Sequence, residues 1–230
     1  MNIKKIILIP AYEPDNKLIE LVKKLSKEDL DIIIIDDGSG PSYQEIFNKC
    51  KNTSKVISYK TNQGKGYALK TGLKYIKENY QNEYIIVTMD CDGQHTIKDA
   101  NKLIEASINN TDTLFLGKRI RSQKTPLRSR LGNSITRFVY KITTGLDIYD
   151  TQTGLRVFTN SLIDYMINIE GNRFEYEMNV LLSCAKDKIN IKEIEIETIY
   201  IDNNSKSHFN AIKDSYRIYK NIIKYTLRRK

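Results

Sequence analysis

Residues 31–36 read Asp-Ile-Ile-Ile-Ile-Asp, and no other stretch constrains the fold as strongly. Consecutive β-branched residues favour an extended chain. With no polar residue between the two aspartates, such a strand must be covered on both faces, as in a parallel sheet flanked by helices. The rest of the first half fits that reading. Lys4–Pro10 predicts a strand, and 16–27 a helix with Leu18, Leu21, Val22 and Leu25 on one face. Ser42, with Glu45 three residues on, reads as a capping box opening a helix to about Lys51. Val56–Lys60 is a third strand, and residues 61–66 form a loop before a helix that buries Ala68, Leu69, Leu73 and Ile76. Glu83–Asp90 is a fourth strand, Thr96 opens a helix with Ala100, Leu103 and Ile104 inside, and Thr113–Gly117 is a fifth strand. This alternation predicts an α/β fold with a mostly parallel, doubly wound sheet and helices on both faces.

The second half is less regular. A helix is expected over 131–144, a strand over 155–158, a helix over 176–186, a strand over 189–201 and a last helix from about Asn210. No repeat or linker divides the chain. One domain over 1–209 is therefore expected, followed by a basic amphipathic helix over 210–230.

Open α/β sheets bind ligands in the crevice beyond the carboxyl ends of their strands. Polar clusters fall at four such ends: Pro10–Asp15, Asp36–Ser39, Asn62–Gly66 and Asp90–His95. Asp90 and Asp92 are alternate residues, so both carboxylates can face one ligand, and Gly93 lets the chain turn beside them. Like charges this close call for a cation, and oxygen donors select a hard ion such as Mg²⁺ or Mn²⁺, which shares its ligands with substrate phosphates. A solvated turn also accounts for Asp-x-Asp-Gly taken alone. The second acidic pair, Asp36 and Asp37 before Gly38, favours a site.

Lys plus Arg outnumber Asp plus Glu by 37 to 28, a formal charge of +9, which suits phosphates, nucleic acid or an acidic lipid surface. No acidic residue occurs between Asp112 and Asp147, a stretch rich in Lys and Arg. Guanidinium forks suit phosphates in particular, although a solvated basic face explains such a run equally well. Three cysteines, far apart, fit neither a disulfide framework nor a zinc site, so a reducing, cytoplasmic setting is expected. The apolar run Ile6–Ile9 is too short for a signal peptide or a membrane span.

Six segments carry a resemblance: "IPAYEPD", "IIDDGSG", "NQGKGYALKTGL", "MDCDGQH", "LGKR" and "DTQTGLRVF". In this order they resemble the inverting glycosyltransferases of family 2, with the A-type glycosyltransferase fold, and within them the polyprenyl-phosphate subgroup. The resemblance implies a nucleotide-sugar donor, UDP- or GDP-linked. Pro10, Ala11, Tyr12 and Glu13, with Asp36 and Asp37, would hold its base and ribose, supported by Asn62, Gly64, Lys65 and Gly66. Relatives often carry Asn-Glu after the tyrosine, where this chain has Glu13 and Pro14. Asp90 and Asp92 would bind the metal on the diphosphate, with Gln94 beside them. Arg119 and Arg130 match positions near the donor and acceptor phosphates, with Ser134 one turn beyond Arg130. Asp150 would lie near the nucleophile with Arg156 as its support, and Lys206 in a loop that closes over the diphosphate. Glu175 and Glu177 either line the acceptor side or cap the helix they open.

Breaking a sugar–diphosphate bond leaves negative charge on the leaving group, which a metal and aimed cations stabilise. A hydroxyl acceptor needs a general base, whereas a lipid phosphate is already largely ionised near neutral pH. On that reading Asp150 orients or binds more than it abstracts a proton. The expected partners are therefore a nucleotide sugar, a polyprenyl phosphate, and a membrane surface or small separate membrane protein, with no nucleic acid. Transfer to a glycan hydroxyl is the alternative. A non-catalytic anion-binding module is a more distant one, because it has no use for four acidic strand-end positions. The last helix pairs an apolar stripe with Lys213, Arg217, Lys220 and Lys224, which suits peripheral attachment at the inner face of the membrane.

Overall fold

The computed structural model describes residues 3–120, 127–197 and 213–228, with the backbone alone for 127–132 and 227–228. Seven strands form one sheet in the order β3-β2-β1-β4-β6-β5-β7. They are β1 (Lys4–Ala11), β2 (Asp31–Asp36), β3 (Lys55–Ser58), β4 (Tyr84–Thr88), β5 (Thr113–Arg119), β6 (Arg156–Thr159) and β7 (Asn190–Ile196). All neighbours are parallel except β6, which runs antiparallel to both β4 and β5.

The four isoleucines of β2 divide between the two faces, as their pattern requires. Ile33 and Ile35 join a core with α3 (Lys65–Asn79), α5 (Leu127–Thr144), α6 (Ile163–Asn168), α7 (Glu175–Asp187) and α8 (Lys213–Arg228). Ile32 and Ile34 join the other, under α1 (Lys17–Leu25), α2 (Gln44–Cys50) and α4 (Ile97–Ser107). Thr96 caps α4 as expected, its hydroxyl oxygen accepting from the Asp99 amide at 3.0 Å.

The capping box at Ser42 does not form. Pro41, with φ fixed for a helical start, begins a 3-10 turn from Gly40, so Ser42 lies inside that turn, and Tyr43 precedes α2 without a side-chain cap. Glu45 pairs instead with Lys49 at 2.7 Å. Helix α6 was not expected, and α5 begins four residues before its expected start at 131. Helix α8 seats Ile218 and Ile222 in the core beside α7 and α5. Among the described residues no helix is long and apolar enough to cross a membrane.

The antiparallel strand is what shapes the site. The chain leaves the carboxyl end of β5, makes α5, and re-enters the sheet at β6 from that same end. Residues 150–155, which lead into β6, therefore lie beside the carboxyl ends of the parallel strands.

Candidate functional site

The crevice opens at the carboxyl ends of β1 and β4, where the strand order reverses: β2 and β3 lie to one side of β1, and β4 to the other. At its β2 end the two aspartates fasten loops together. Asp37 is buried, and its carboxylate accepts from the Tyr59 hydroxyl (2.6 Å), Asn62 Nδ2 (2.9 Å), the Gln63 amide (2.8 Å) and the Gly64 amide (2.9 Å). Its own amide donates to Ala11 at the end of β1 (2.8 Å). Asp36 accepts from the Ser39 amide, and the Ser39 hydroxyl oxygen accepts from the Glu13 amide, each at 2.9 Å. Glu13 is held at φ +48°, an uncommon conformation for a residue with a side chain. Tyr12 lies just beyond the buried Pro10 and Ala11, its phenol raised by a hydrogen bond with Glu13, then by burial.

The next group comes from three elements. Lys65, the first residue of α3, places its Nζ 2.7 Å from Asp90 and 3.0 Å from Glu177 of α7. Burial alone would lower its ammonium, but the two carboxylates outweigh this and raise it. Burial likewise pushes the Asp90 carboxyl up, yet Lys65 and His95 hold it well below the usual range. His95 is buried with Nε2 3.5 Å from Asp90, and its Nδ1 has no hydrogen-bond partner. Two glycines permit this closeness. Gly64, at φ +104°, lies where a Cβ would strike Arg173, and at Gly154 a Cβ would lie 2.1 Å from Asp90 Oδ2. Arg173 donates to Asn62 Oδ1 at 3.2 Å, so the loop before α7 clasps the loop before α3.

Asp92 has an open face to solvent, and its Oδ1 accepts from the Gln94 amide at 3.0 Å. Lost hydration on its protein side and the charge of Asp90 push its carboxyl up. A carboxylate whose charge is opposed by its neighbour's suits a divalent cation. Among the described residues, however, no group of three or more His, Cys, Asp or Glu makes a self-contained metal site. Asp90 is already engaged by Lys65. Asp92 with Gln94 nearby thus fits a hard cation that completes its shell with substrate oxygens and water.

On the other side, Arg119 at the end of β5 grips Asp150 through two bonds, Nε at 2.6 Å and Nη2 at 3.1 Å. Glu193 of β7 fixes the turn by accepting from the Tyr149 (2.9 Å) and Asp150 (2.8 Å) amides. The turn 150–154 therefore touches Arg119 at one end and Asp90 at the other, and Thr88 of β4 donates to the Gly154 carbonyl at 2.9 Å.

Other expected site residues lie elsewhere. Arg156 is buried beneath the crevice, donating to the Thr153 and Glu177 carbonyls, with Nη2 unpartnered beside a cavity of about 20 Å³. Glu175 Oε1 accepts from the Asn172 and Arg173 amides and so caps its own turn. Ser134 lies on the solvent side of α5. Gly66 lets Tyr176 pack against the start of α3. The Arg130 side chain and Lys206 lie outside the described residues. Sequence reasoning missed Arg173 and Glu193, which no motif marks. The place of His95 at the end of the Asp90–His95 cluster, five residues after Asp90, was the one available signal for its contact.

Comparison with known proteins supplies the family. The model of glycosyl transferase family 2 matches residues 6–171. A UDP-N-acetylglucosamine–dolichyl-phosphate N-acetylglucosaminyltransferase of Methanococcus voltae is 33% identical, over 85% of this chain and 86% of that protein. Dolichyl-phosphate β-glucosyltransferase of Saccharomyces cerevisiae is 25% identical, over 85% and 67%. Among solved structures, glucosyl-3-phosphoglycerate synthase of Mycobacterium tuberculosis, in complex with Mn²⁺, UDP-glucose and phosphoglyceric acid, superposes with a TM-score of 0.68. It is 13% identical, over 99% of this chain and 80% of that one.

Proposed function

The chain belongs to glycosyltransferase family 2, and from that premise we propose that it moves a single sugar from a nucleoside diphosphate to a polyprenyl phosphate at a membrane surface. The observation that carries this reading is the turn 150–154, which joins the Lys65–Asp90 pair to the Arg119–Asp150 pair on one rim. A donor diphosphate and an anionic acceptor need such adjacent, separately held charges. The relatives from Methanococcus voltae and Saccharomyces cerevisiae bear names that specify dolichyl phosphate, which supports the acceptor class.

In the reaction an acceptor phosphate oxygen attacks the anomeric carbon while the bond to the diphosphate breaks, its electron pair leaving with the diphosphate. An ionised phosphate needs no base. Asp150 therefore acts by holding Arg119 rigid through two bonds, so that its guanidinium faces phosphate oxygens without reorganising. Lys65 and Glu177 keep Asp90 ionised and in place beneath the donor. Asp92, with Gln94, would hold Mg²⁺ or Mn²⁺, which when bound neutralises charge on the diphosphate. Tyr12, Glu13, Asp37 and Asn62 form the base and ribose end, and Arg130 and Lys206 are further phosphate contacts. The working location is the inner face of the membrane.

The test is transfer of radiolabelled sugar from a panel of UDP- and GDP-sugars to undecaprenyl or dolichyl phosphate, with Mg²⁺ or Mn²⁺. Labelled lipid from at least one donor is expected. Label appearing only on a glycan hydroxyl would overturn the acceptor assignment.

A further inference from the structure

Arg156 carries a charge into the core at the point where the turn 150–154 enters the sheet. It opens β6 opposite Thr88 of β4 and Leu116 of β5, and it is only 4% exposed. Among the described residues its guanidinium bonds to two main-chain carbonyls and to no carboxylate. A buried charge without a counter-charge is costly to the fold, and an apolar side chain of similar volume fills such a place at less cost. Stability therefore does not account for an arginine here.

The owners of the two carbonyls do account for it. Nε donates to the Thr153 carbonyl at 3.1 Å, and Nη1 donates to the Glu177 carbonyl at 2.9 Å. Thr153 belongs to the turn whose Asp150 grips Arg119 and whose Gly154 lies against Asp90. Glu177 belongs to the first turn of α7, and its carboxylate holds Lys65, the partner of Asp90, at 3.0 Å. One planar fork thus joins the backbone beside the Arg119–Asp150 pair to the backbone behind the Lys65–Asp90 pair. Such a fork fixes direction as well as distance, which the point charge of a lysine does not. Thr88 reinforces the arrangement by donating to the next carbonyl of the turn, that of Gly154, at 2.9 Å. The third nitrogen, Nη2, faces the cavity of about 20 Å³ that Thr88 and Glu177 also line, which is room for one bridging water.

We infer that Arg156 is a positioning residue for sugar transfer. By tying the turn 150–154 to the first turn of α7, it sets the spacing between the Arg119–Asp150 pair and the Lys65–Asp90 pair. This rests on the reaction proposed above, in which those pairs serve the acceptor and the donor. Buried beneath the crevice, Arg156 itself touches neither substrate. Spacing matters most when the acceptor oxygen closes on the anomeric carbon, so the loss should fall on kcat. Donor binding depends on the ends of β1 and β2 and on Asp92, none of which Arg156 bonds, and should be spared.

The test compares the native protein with two variants. Arg156→Lys keeps the charge but can reach only one carbonyl, and Arg156→Met removes a buried charge, so that the fold is spared. With a donor and acceptor that the native protein turns over, kcat should fall about 100-fold in Arg156→Met and at least about tenfold in Arg156→Lys, with the donor KM within about twofold. Rates are measured well below each variant's Tm, where a merely structural role would leave kcat unchanged; that result would overturn the inference. Hydrogen exchange adds a readout that requires no substrate. Amides of residues 150–155 and 175–179 should both exchange about tenfold faster in Arg156→Met, while those of β1 and β2 stay as protected as in the native chain. Loosening of one segment alone, or of neither, would show that Arg156 does not join the two sides. Protection lost across the whole chain in both variants would assign Arg156 to overall stability and equally defeat the inference. If both segments loosen together but the native protein labels no polyprenyl phosphate, the join through Arg156 stands and the acceptor assignment falls.

Discussion

A methyl group added at Gly154 should disable the site while leaving the fold intact. The Cβ of Gly154→Ala would lie 2.1 Å from Asp90 Oδ2 and 2.5 Å from its Cγ. Ordinary contact begins near 3.4 Å, so the carboxylate must retreat by about 1.3 Å. Lys65 cannot simply follow, because Glu177 holds its ammonium at 3.0 Å from the other side. The 2.7 Å bond between Lys65 and Asp90 is then stretched or lost. Charge-assisted hydrogen bonds contribute about 1.5–3 kcal/mol, so a loss of ~2 kcal/mol is expected. For a chain of this length that lowers Tm by roughly 4–8 °C. A misplacement of about 1 Å at reacting groups costs on the order of 100-fold in turnover. Both quantities should be measured again in an Asp90→Ala background, where the clash has no partner and Gly154→Ala should cost almost nothing further in stability. Full activity in Gly154→Ala would refute the close approach of the turn 150–154 to Asp90. An equal stability loss with and without the Asp90 carboxylate would place the cost in the backbone.

Asp92→Ala should lower sugar transfer at least about 100-fold and abolish the rise in Tm expected of the native protein with a UDP- or GDP-sugar and Mg²⁺ or Mn²⁺; an intact rise would remove Asp92 from the metal role. Arg119→Lys keeps the charge but loses the two-pronged grip on Asp150, so kcat/KM should fall roughly tenfold or more, and an unchanged value would refute positioning by Asp150. Because the Asp90 carboxyl is depressed in the folded chain, it stabilises the fold at pH values above the ordinary carboxyl range and ceases to do so as pH falls through its folded value. The Tm deficit of Asp90→Asn should accordingly be full at pH 7 and narrow only below about pH 4; a deficit independent of pH would contradict this. Burial pushes the Cys184 thiol up to about 12 and raises that of Cys50, and at the half-buried Cys91 lost hydration with the charges of Asp90 and Asp92 does the same, up to about 12. The buried Cys50 and Cys184 should therefore resist thiol reagents at pH 8 and react on unfolding; labelling of either within minutes would contradict the burial.

The parts legible in advance were those that depend on local pattern. Asp31–Asp36 allowed one reading, and its isoleucines do split between two cores. The helix at Thr96 announced itself through its cap, since that signal is a bond between residues three apart. The capping box at Ser42 failed because a neighbouring proline imposed its own dihedral, a local rule overruling another. Asp36 and Asp37 were read as ligand-facing acids, and the structure uses them first to tie three loops together. Nothing in their spacing distinguishes the two uses.

The sequence by itself determined the doubly wound sheet, the family, and the strand ends where chemistry gathers, because these follow from hydrophobic period and from motifs of a few adjacent residues. The direction of β6, the contact of Gly154 with Asp90, the bond from Lys65 to Glu177 and the clasp of Arg173 on Asn62 were decided only in three dimensions. The last two of these link residues more than a hundred positions apart, and no periodicity encodes a meeting made solely by the closing of the sheet.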